Sequence, residues 1–266
     1  MTRYTIPMYQ VDAFSSQPFK GNPAAVCLMN EDLPDQILQS ISAENNLAET
    51  AFIWHQDHDF HIRWFTPTVE VDLCGHATLA GAFILFHTNA AKEDRIKFNS
   101  RSGPLYASRE SDGRLVLDFP VDEYTTVKCP AFVETAIQSK VIDFIKGKSD
   151  YLARVENEDE LKRINPDFSS IMKLSARGLI VTAPGNNVDF VSRCFFPQSG
   201  IDEDPVTGSA HTTLVPYWAA LLGKNTLSAK QVSLRGGDLY CTLQGDRVFI
   251  GGNASLYLEG QIFISA

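Results

Sequence analysis

The sequence predicts an α+β protein in which one unit of strand, turn and helix occurs twice. Arg63 to Leu85 (RWFTPTVEVDLCGHATLAGAFIL) and Arg193 to Leu222 (RCFFPQSGIDEDPVTGSAHTTLVPYWAALL) both begin RxFxP, with Arg63, Phe65 and Pro67 answered by Arg193, Phe195 and Pro197. Both then reach a glycine, Gly75 or Gly208, that opens an almost wholly apolar helix. Beyond the helices the agreement resumes: Gly103-x-Leu105-Tyr106 is matched by Gly237-x-Leu239-Tyr240, and Arg114-Leu-Val-Leu by Arg247-Val-Phe-Ile. Gly75 to Gly103 is 28 residues and Gly208 to Gly237 is 29, while the copies are offset by 130 to 134, about half of the 266-residue chain. Such self-similarity at a fixed offset is the mark of an internal duplication.

Length and composition agree. Two domains of roughly 130 residues can each bury an ordinary core. The apolar content of 44% and charged content of 21% are globular values. A net charge of −9 without any Lys/Arg run excludes a nucleic-acid partner as an expectation. No apolar segment is long enough to span a bilayer, and the N-terminal MTRYTIPMYQVDAF lacks the apolar core of a secretory signal. Five unclustered cysteines, an odd number, suit reduced thiols, so a cytoplasmic location is expected.

Along the chain, Tyr4 to Phe14 and Ala24 to Met29 alternate as strands, with Gly21-Asn22-Pro23 as the tip of the loop between them. Pro34 starts a helix carrying Ile37, Leu38 and Ile41 at helical spacing and ending near Asn45-Asn46. Glu49 stands at the head of a strand, Thr50 to His55. His55, His58 and His61 suggest a metal site at first sight, but FIWHQDHDFHIRWF reads as a hairpin with Gln56 to Asp59 as its turn, and no metal is expected. His76 to Phe86, apolar nearly all round, is a helix enclosed within its domain. Three strands follow to Phe119, and the polar Pro120 to Lys128 is the best linker.

In the second half, Pro130 opens a helix expected to turn Phe132, Ala136, Ile137, Ile142 and Ile145 inward. Tyr151 to Glu156 is a strand, and the charged Asn157 to Asn165 a solvated helix. Strands Gly178 to Thr182 and Val188 to Phe196 flank the turn at Pro184 to Asn187. The second central helix, Ser209 to Leu222, contains Pro216, which should kink or divide it, and Gly223 is a suitable stop.

The chemistry concentrates at the two glycines. A helix N-terminus carries unpaired N–H groups and the positive end of the helix dipole, and a preceding glycine lets a ligand approach the backbone. Either glycine alone could simply open a core helix; occurring twice, the feature suggests two such ends facing one cleft, whose ligand would be a small anion such as a carboxylate. Near them stand Cys74, His76, Asp204, Thr207, Ser209 and His211, with Glu49 upstream. No phosphate loop, dinucleotide fingerprint, HExxH or GxSxG is present, so no cofactor is expected and acid–base chemistry remains. The repeat equates Cys74 with Thr207. Because a threonine hydroxyl is too weak an acid to replace a thiol, a two-thiol racemase is disfavoured.

Four segments, FKGNPAAV (19 to 26), NLAETAF (46 to 52), FTPTVEVDLCGHAT (65 to 78) and DEDPVTGSA (202 to 210), together resemble the phenazine-biosynthesis PhzF-like family of isomerases, in order and over nearly the whole chain. The resemblance implies a diaminopimelate-epimerase-like fold of two pseudo-symmetric domains, each with a β-sheet wrapped around a central helix. The domains would be 1–119, completed by about 257–266, and 120–256.

The resemblance further implies that Glu49, assisted by His76 and Asp204, transfers the proton, and that Asn22, Gly75, Gly208 and Ser209 bind the substrate. Cys74 and His211 are further candidates, and a homodimer is implied on the same ground. A carboxyl shut away from water has its charged form destabilised, which suits a group that must both take and give a proton. The expected function is therefore a cofactor-independent isomerase moving a proton and a double bond in a small carboxylate. Two alternatives stand beside it: an epimerase or dehydratase using Cys74, and a non-catalytic small-molecule or protein-binding relative.

Overall fold

A computed structural model describes residues 3–265. They fall into two compact units, one running to Asp118 and resuming at Gly251, the other Phe119–Ile250. The chain opens with β1 (Arg3–Ala13), β2 (Asn22–Met29), α1 (Asp35–Asn45), β3 (Glu49–Gln56), β4 (Asp59–Phe65), the short β5 (Glu70–Val71) and α2 (Gly75–His87). A meander of β6 (Arg95–Ser100), β7 (Gly103–Arg109) and β8 (Leu115–Pro120) follows. The second unit holds β9 (Thr125–Thr126), α3 (Ala131–Ile137), β10 (Asp143–Lys146), β11 (Asp150–Arg154), α4 (Glu158–Arg163), α5 (Phe168–Ile171), β12 (Gly178–Pro184), β13 (Phe190–Phe196) and β14 (Ile201–Asp204). After α6 (His211–Leu222) come β15 (Thr226–Gln231), β16 (Gly237–Gln244), β17 (Arg247–Gly252) and β18 (Ala254–Ser265), the last belonging to the first unit.

The strand pairings state the duplication. In the first unit β1–β2 is antiparallel, β2–β3 parallel, β3–β4 antiparallel, β4–β6 parallel and β6–β7 antiparallel. In the second, β10–β11, β11–β12, β12–β13, β13–β15 and β15–β16 repeat that series of directions in the same sequence. Even the short strands correspond, β5 pairing with β4 and β14 with β13. The register equates positions one by one: Thr50 faces Phe65 as Leu179 faces Phe195, so Glu49 corresponds to Gly178.

The shared RxF element has a structural cause. Arg63 grips Glu70 through two bonds of 2.8 Å, and Arg193 grips Glu203 through bonds of 2.7 and 2.8 Å. Each guanidinium also lies over its own phenylalanine, Phe65 or Phe195. These paired forks fix the turn that leads into each central helix.

Helix α2 is buried on nearly every side and packs against β1, β2, β3, β7 and β18, as its unbroken apolar character requires. Gly81 permits the approach to β3: a Cβ there would lie 2.6 Å from Ile53 Cδ1. Helix α1 closes the other face over Ile6, Cys27, Phe52, Trp54 and Phe65. In the second unit α3, α4 and α5 cover Phe144, Leu179, Val181 and Phe195.

Several sequence expectations need correction. Helix α3 stops at Ile137 because Gln138 takes the left-handed conformation, φ 52°; Ile145 lies in β10 and Ile142 is exposed. Helix α4 is not simply solvated, since Leu161 and Glu158 are buried. Asn22 is no loop tip; it is fully buried at the head of β2. Helix α6 begins at His211, after a tight turn in which the N–H groups of His211 and Thr212 reach the carbonyls of Gly208 and Ser209. Pro216 does not divide α6. The Thr212 carbonyl that a proline at 216 leaves without its helical donor accepts the Asp122 N–H at 3.1 Å.

Candidate active site

In the first unit the strand head at Glu49 meets the N-terminus of α2. Cys74 is the cap, in extended conformation, and the helical ladder starts with Thr78 N–H donating to the Cys74 carbonyl at 3.0 Å. The N–H groups of Gly75, His76 and Ala77 therefore precede the ladder. The Thr78 hydroxyl donates to the same Cys74 carbonyl at 2.6 Å and holds the cap.

His76, buried, lies between a carboxylate and a thiol. Its Nε2 is 3.3 Å from Glu49 Oε2, whose side chain is 13% exposed, and its Nδ1 is 3.5 Å from Cys74 Sγ. The Asn22 amide nitrogen is 3.2 Å from Nδ1 and holds the ring from the side of β2. Burial pushes the His76 pKa down to about 4, against the opposing backbone hydrogen bond at Pro23, so the ring is neutral at physiological pH.

Glu49, Cys74 and His76 are the group of potential metal ligands found among the described residues, with one donor atom of each within 4.8 Å of the others. The three form a compact cluster in which the His76 ring turns one nitrogen to the thiol and the other to the carboxylate. The hairpin histidines do not belong to it; His61 stacks on Trp54, and His55 meets Phe60 edge-on.

The second unit builds the corresponding place from other groups. The His211 ring takes up the Thr78 position and bonds the Thr207 carbonyl at 2.8 Å through Nδ1. Burial lowers the His211 pKa to about 4, opposed by that backbone bond, and its ring packs beside Phe190. Thr207 donates its hydroxyl to Asp204 Oδ2. Gln231, fully buried, accepts the Thr207 N–H at 2.8 Å and donates to the Asp204 carbonyl at 2.7 Å. Thr207 thus serves as a support for Asp204 where its counterpart Cys74 offers a thiol. Burial also pushes the neighbouring Cys194 thiol well above its ordinary pKa, which leaves it inert.

Two residues here escaped sequence reasoning. Arg177 donates from Nη1 and Nη2 to Ser209 Oγ, both at 3.2 Å, and from Nε to Asp150 Oδ1 at 2.9 Å, with a further bond from Nη2 to Asp150 Oδ2. Gln231 carried no signal at all. Arg177 carried one: extending the repeat upstream by its offset of about 130 from Glu49 reaches Gly178, one residue away.

Two units of one strand topology, each with a mostly enclosed helix whose N-terminus meets polar side chains, define a protein of the epimerase-like α+β class. Within that class the chain belongs to the PhzC-PhzF family, described as phenazine biosynthesis-like protein, which matches residues 11–260. It is 48% identical over 260 residues to an uncharacterized isomerase of Pseudomonas aeruginosa, covering 98% of this chain and 99% of that one. A crystal structure of a phenazine biosynthesis protein of the PhzF family from Enterococcus faecalis superposes with a TM-score of 0.95 at 45% identity, over 98% of this chain and 100% of that one. A hydroxyproline epimerase from Agrobacterium vitis shares the fold alone, at 10% identity and a TM-score of 0.61, over 99% of this chain and 92% of that one.

Proposed function

We propose that the chain is a cofactor-independent isomerase that moves a proton, and with it a double bond, within a small carboxylate. Glu49 is the group that carries the proton. The observation behind this reading is the 3.3 Å approach of Glu49 to the neutral, buried His76 at the start of α2. As a carboxylate, Glu49 removes a proton from a carbon activated by the adjoining unsaturation. The electron pair delocalises, and the Glu49 carboxylic acid returns the proton at the far end of the allylic system. No proton is gained or lost overall. His76, its Nε2 3.3 Å from Glu49 Oε2, assists as the polar neighbour of the carboxyl through both transfers. Asn22 orients the ring. Each unit brings groups suited to an anionic group of the substrate: the first the backbone at Gly75, the second the backbone at Gly208 and the Ser209 hydroxyl, with Asp204 assisting from its place on Thr207.

The distance of 3.5 Å between Cys74 Sγ and His76 Nδ1 favours a second reading, an epimerase or dehydratase in which the thiol takes part. One experiment separates the two. Proton NMR in D₂O with cyclic and acyclic unsaturated carboxylates is expected to show deuterium at a substrate carbon or a shifted double bond. Glu49→Gln should lose at least a hundredfold in that rate, of the order general acid–base groups contribute (about 10² to 10⁴), while Cys74→Ala keeps most of it. Full turnover in Glu49→Gln sinks the proposal; loss confined to Cys74→Ala moves the chemistry to the thiol.

A further inference from the structure

We propose that Arg177 is a positioning residue that commits the Ser209 hydroxyl to donating its hydrogen bond to the substrate's carboxylate. The inference rests on the reading that Ser209 meets that carboxylate. A guanidinium has only donors, so the two N–H groups that Arg177 aims at Ser209 Oγ occupy the oxygen as an acceptor. The single hydroxyl proton must then point away from Arg177. Without that constraint a serine hydroxyl rotates freely between donor and acceptor roles, and its other rotamers would present a lone pair to an anion.

The guanidinium is itself held in place. Asp150, whose side chain is 5% exposed, takes the Nε and Nη2 edge, and the plane lies 4.6 Å over the Phe196 ring. The Arg177 backbone N–H is fixed to the Ser149 carbonyl at 2.8 Å, just before β12 pairs in parallel with β11. Only arginine fits this place: its fork reaches the carboxylate along one edge and the hydroxyl along another, which a lysine ammonium on a single stem does not reproduce.

The duplication gives independent support. Gly75 and Gly208 correspond, so His76 corresponds to Ser209, and the strand head carrying Glu49 corresponds to the one carrying Arg177 and Gly178. Each copy therefore sets a charged side chain from the head of its third strand against the residue that follows the corresponding glycine, Gly75 at the start of α2 and Gly208 in the turn before α6. The first copy uses a carboxylate on a histidine and the second a guanidinium on a serine. The unit that carries a base in one copy carries an anion-orienting cation in the other.

The test is calorimetric binding of the unsaturated carboxylates named above to the full chain and to Ser209→Ala, Arg177→Lys and the double variant. Arg177→Lys keeps a cation beside Asp150, and Asp150→Asn/Arg177→Met removes both charges together should the lysine variant misfold; circular dichroism melts monitor both. Ser209→Ala and Arg177→Lys are each expected to weaken binding by about tenfold, the worth of one hydrogen bond to a charged group, with the double variant no weaker than Ser209→Ala. In the exchange assay the loss should fall on KM more than on kcat. Wild-type affinity in Arg177→Lys, losses that multiply in the double variant, or a wild-type chain that binds none of the carboxylates overturns the proposal. Coupling between Arg177 and Ser209 in a chain that exchanges no proton would remove the isomerase reading and leave this one standing. Exchange dependent on Glu49 but indifferent to Arg177 would do the reverse.

Discussion

A histidine stripped of water costs stability when it must take a proton, and two are placed so here. Burial lowers His76 and His211 from 6.5 to about 4, against backbone hydrogen bonds that work the other way. Between those values the unfolded chain binds protons that the folded chain does not. The contribution of each ring is therefore fully present above about pH 6.5 and is lost as the pH falls through about 4. The urea midpoint is expected to be level above pH 7 and to fall from about pH 6.5 to 5, where few carboxylates titrate. His211→Gln, which can still donate to the Thr207 carbonyl, should make that fall shallower. An unchanged slope would show that the His211 ring is protonated in the fold. At this scale the sequence named Glu49, Cys74 and His76 separately, by motif and by nearness to a glycine. That they cluster depends on the head of β3 meeting the start of α2 and on the turn of the His76 ring, which no residue pattern encodes. Arg177 and Asp150 are 27 positions apart and acquire meaning only when β11 and β12 pair side by side.

Elements were more legible than their ends. Helix α2 was evident because an unbroken apolar run can only be enclosed, and the β3–β4 hairpin because its polar turn separates alternating residues. The end of α3 was not, since a left-handed glutamine is an uncommon stop and the apolar residues beyond it, among them Ile145, keep a helical rhythm while lying in a strand. Pro216 misled for a related reason: Asp122, far away in sequence, supplies the donor that repairs α6. The glycine at the head of β12 shows what register adds. A Cβ at Gly178 would fall 2.2 Å from the Phe195 carbonyl oxygen and 2.4 Å from Phe196 Cδ1. Backbone cannot retreat from such a contact without breaking the β12–β13 pairing. Gly178→Ala is therefore expected to cost roughly 3 kcal/mol in urea unfolding, at the upper end of overpacking effects. A loss below roughly 1 kcal/mol would mean that the strands separate more easily than their register implies. The same crowding explains why the counterpart of Glu49 is not a second acid: the position holds no side chain, and the charged group moves one residue back, to Arg177.

At the scale of the molecule, the two copies share a topology but not a chain path. The second unit is continuous, whereas the first is finished by β18, which returns to pair with β1 from Arg3↔Ser265 to Ala13↔Ala254. That pairing does more than cap an edge, because Ile262 and Ile264 pack against the cluster under α1, and Tyr257 meets Phe19 edge-on. Removing residues 254–266 would strip β1 of a partner along its whole length and open the apolar cluster that supports β3, at whose head Glu49 stands. The second unit has its own core around Phe144, Leu161, Val181 and Phe195, made wholly from residues of that unit. Local stability follows such cores, so the two units should respond differently. In the truncated chain, hydrogen exchange followed by mass spectrometry is expected to show amides of β1 to β3 unprotected and those of β12 and β13 still protected. Proton exchange on substrate should vanish with the first group, because the carboxylate would lose the strand that holds it against α2. Carboxylate binding that depends on Arg177 and Ser209 should persist at reduced affinity with the second. Simultaneous loss of protection in both groups would show instead that the copies fold as one cooperative body, and that the duplication survives as a pattern of pairing without independent stability.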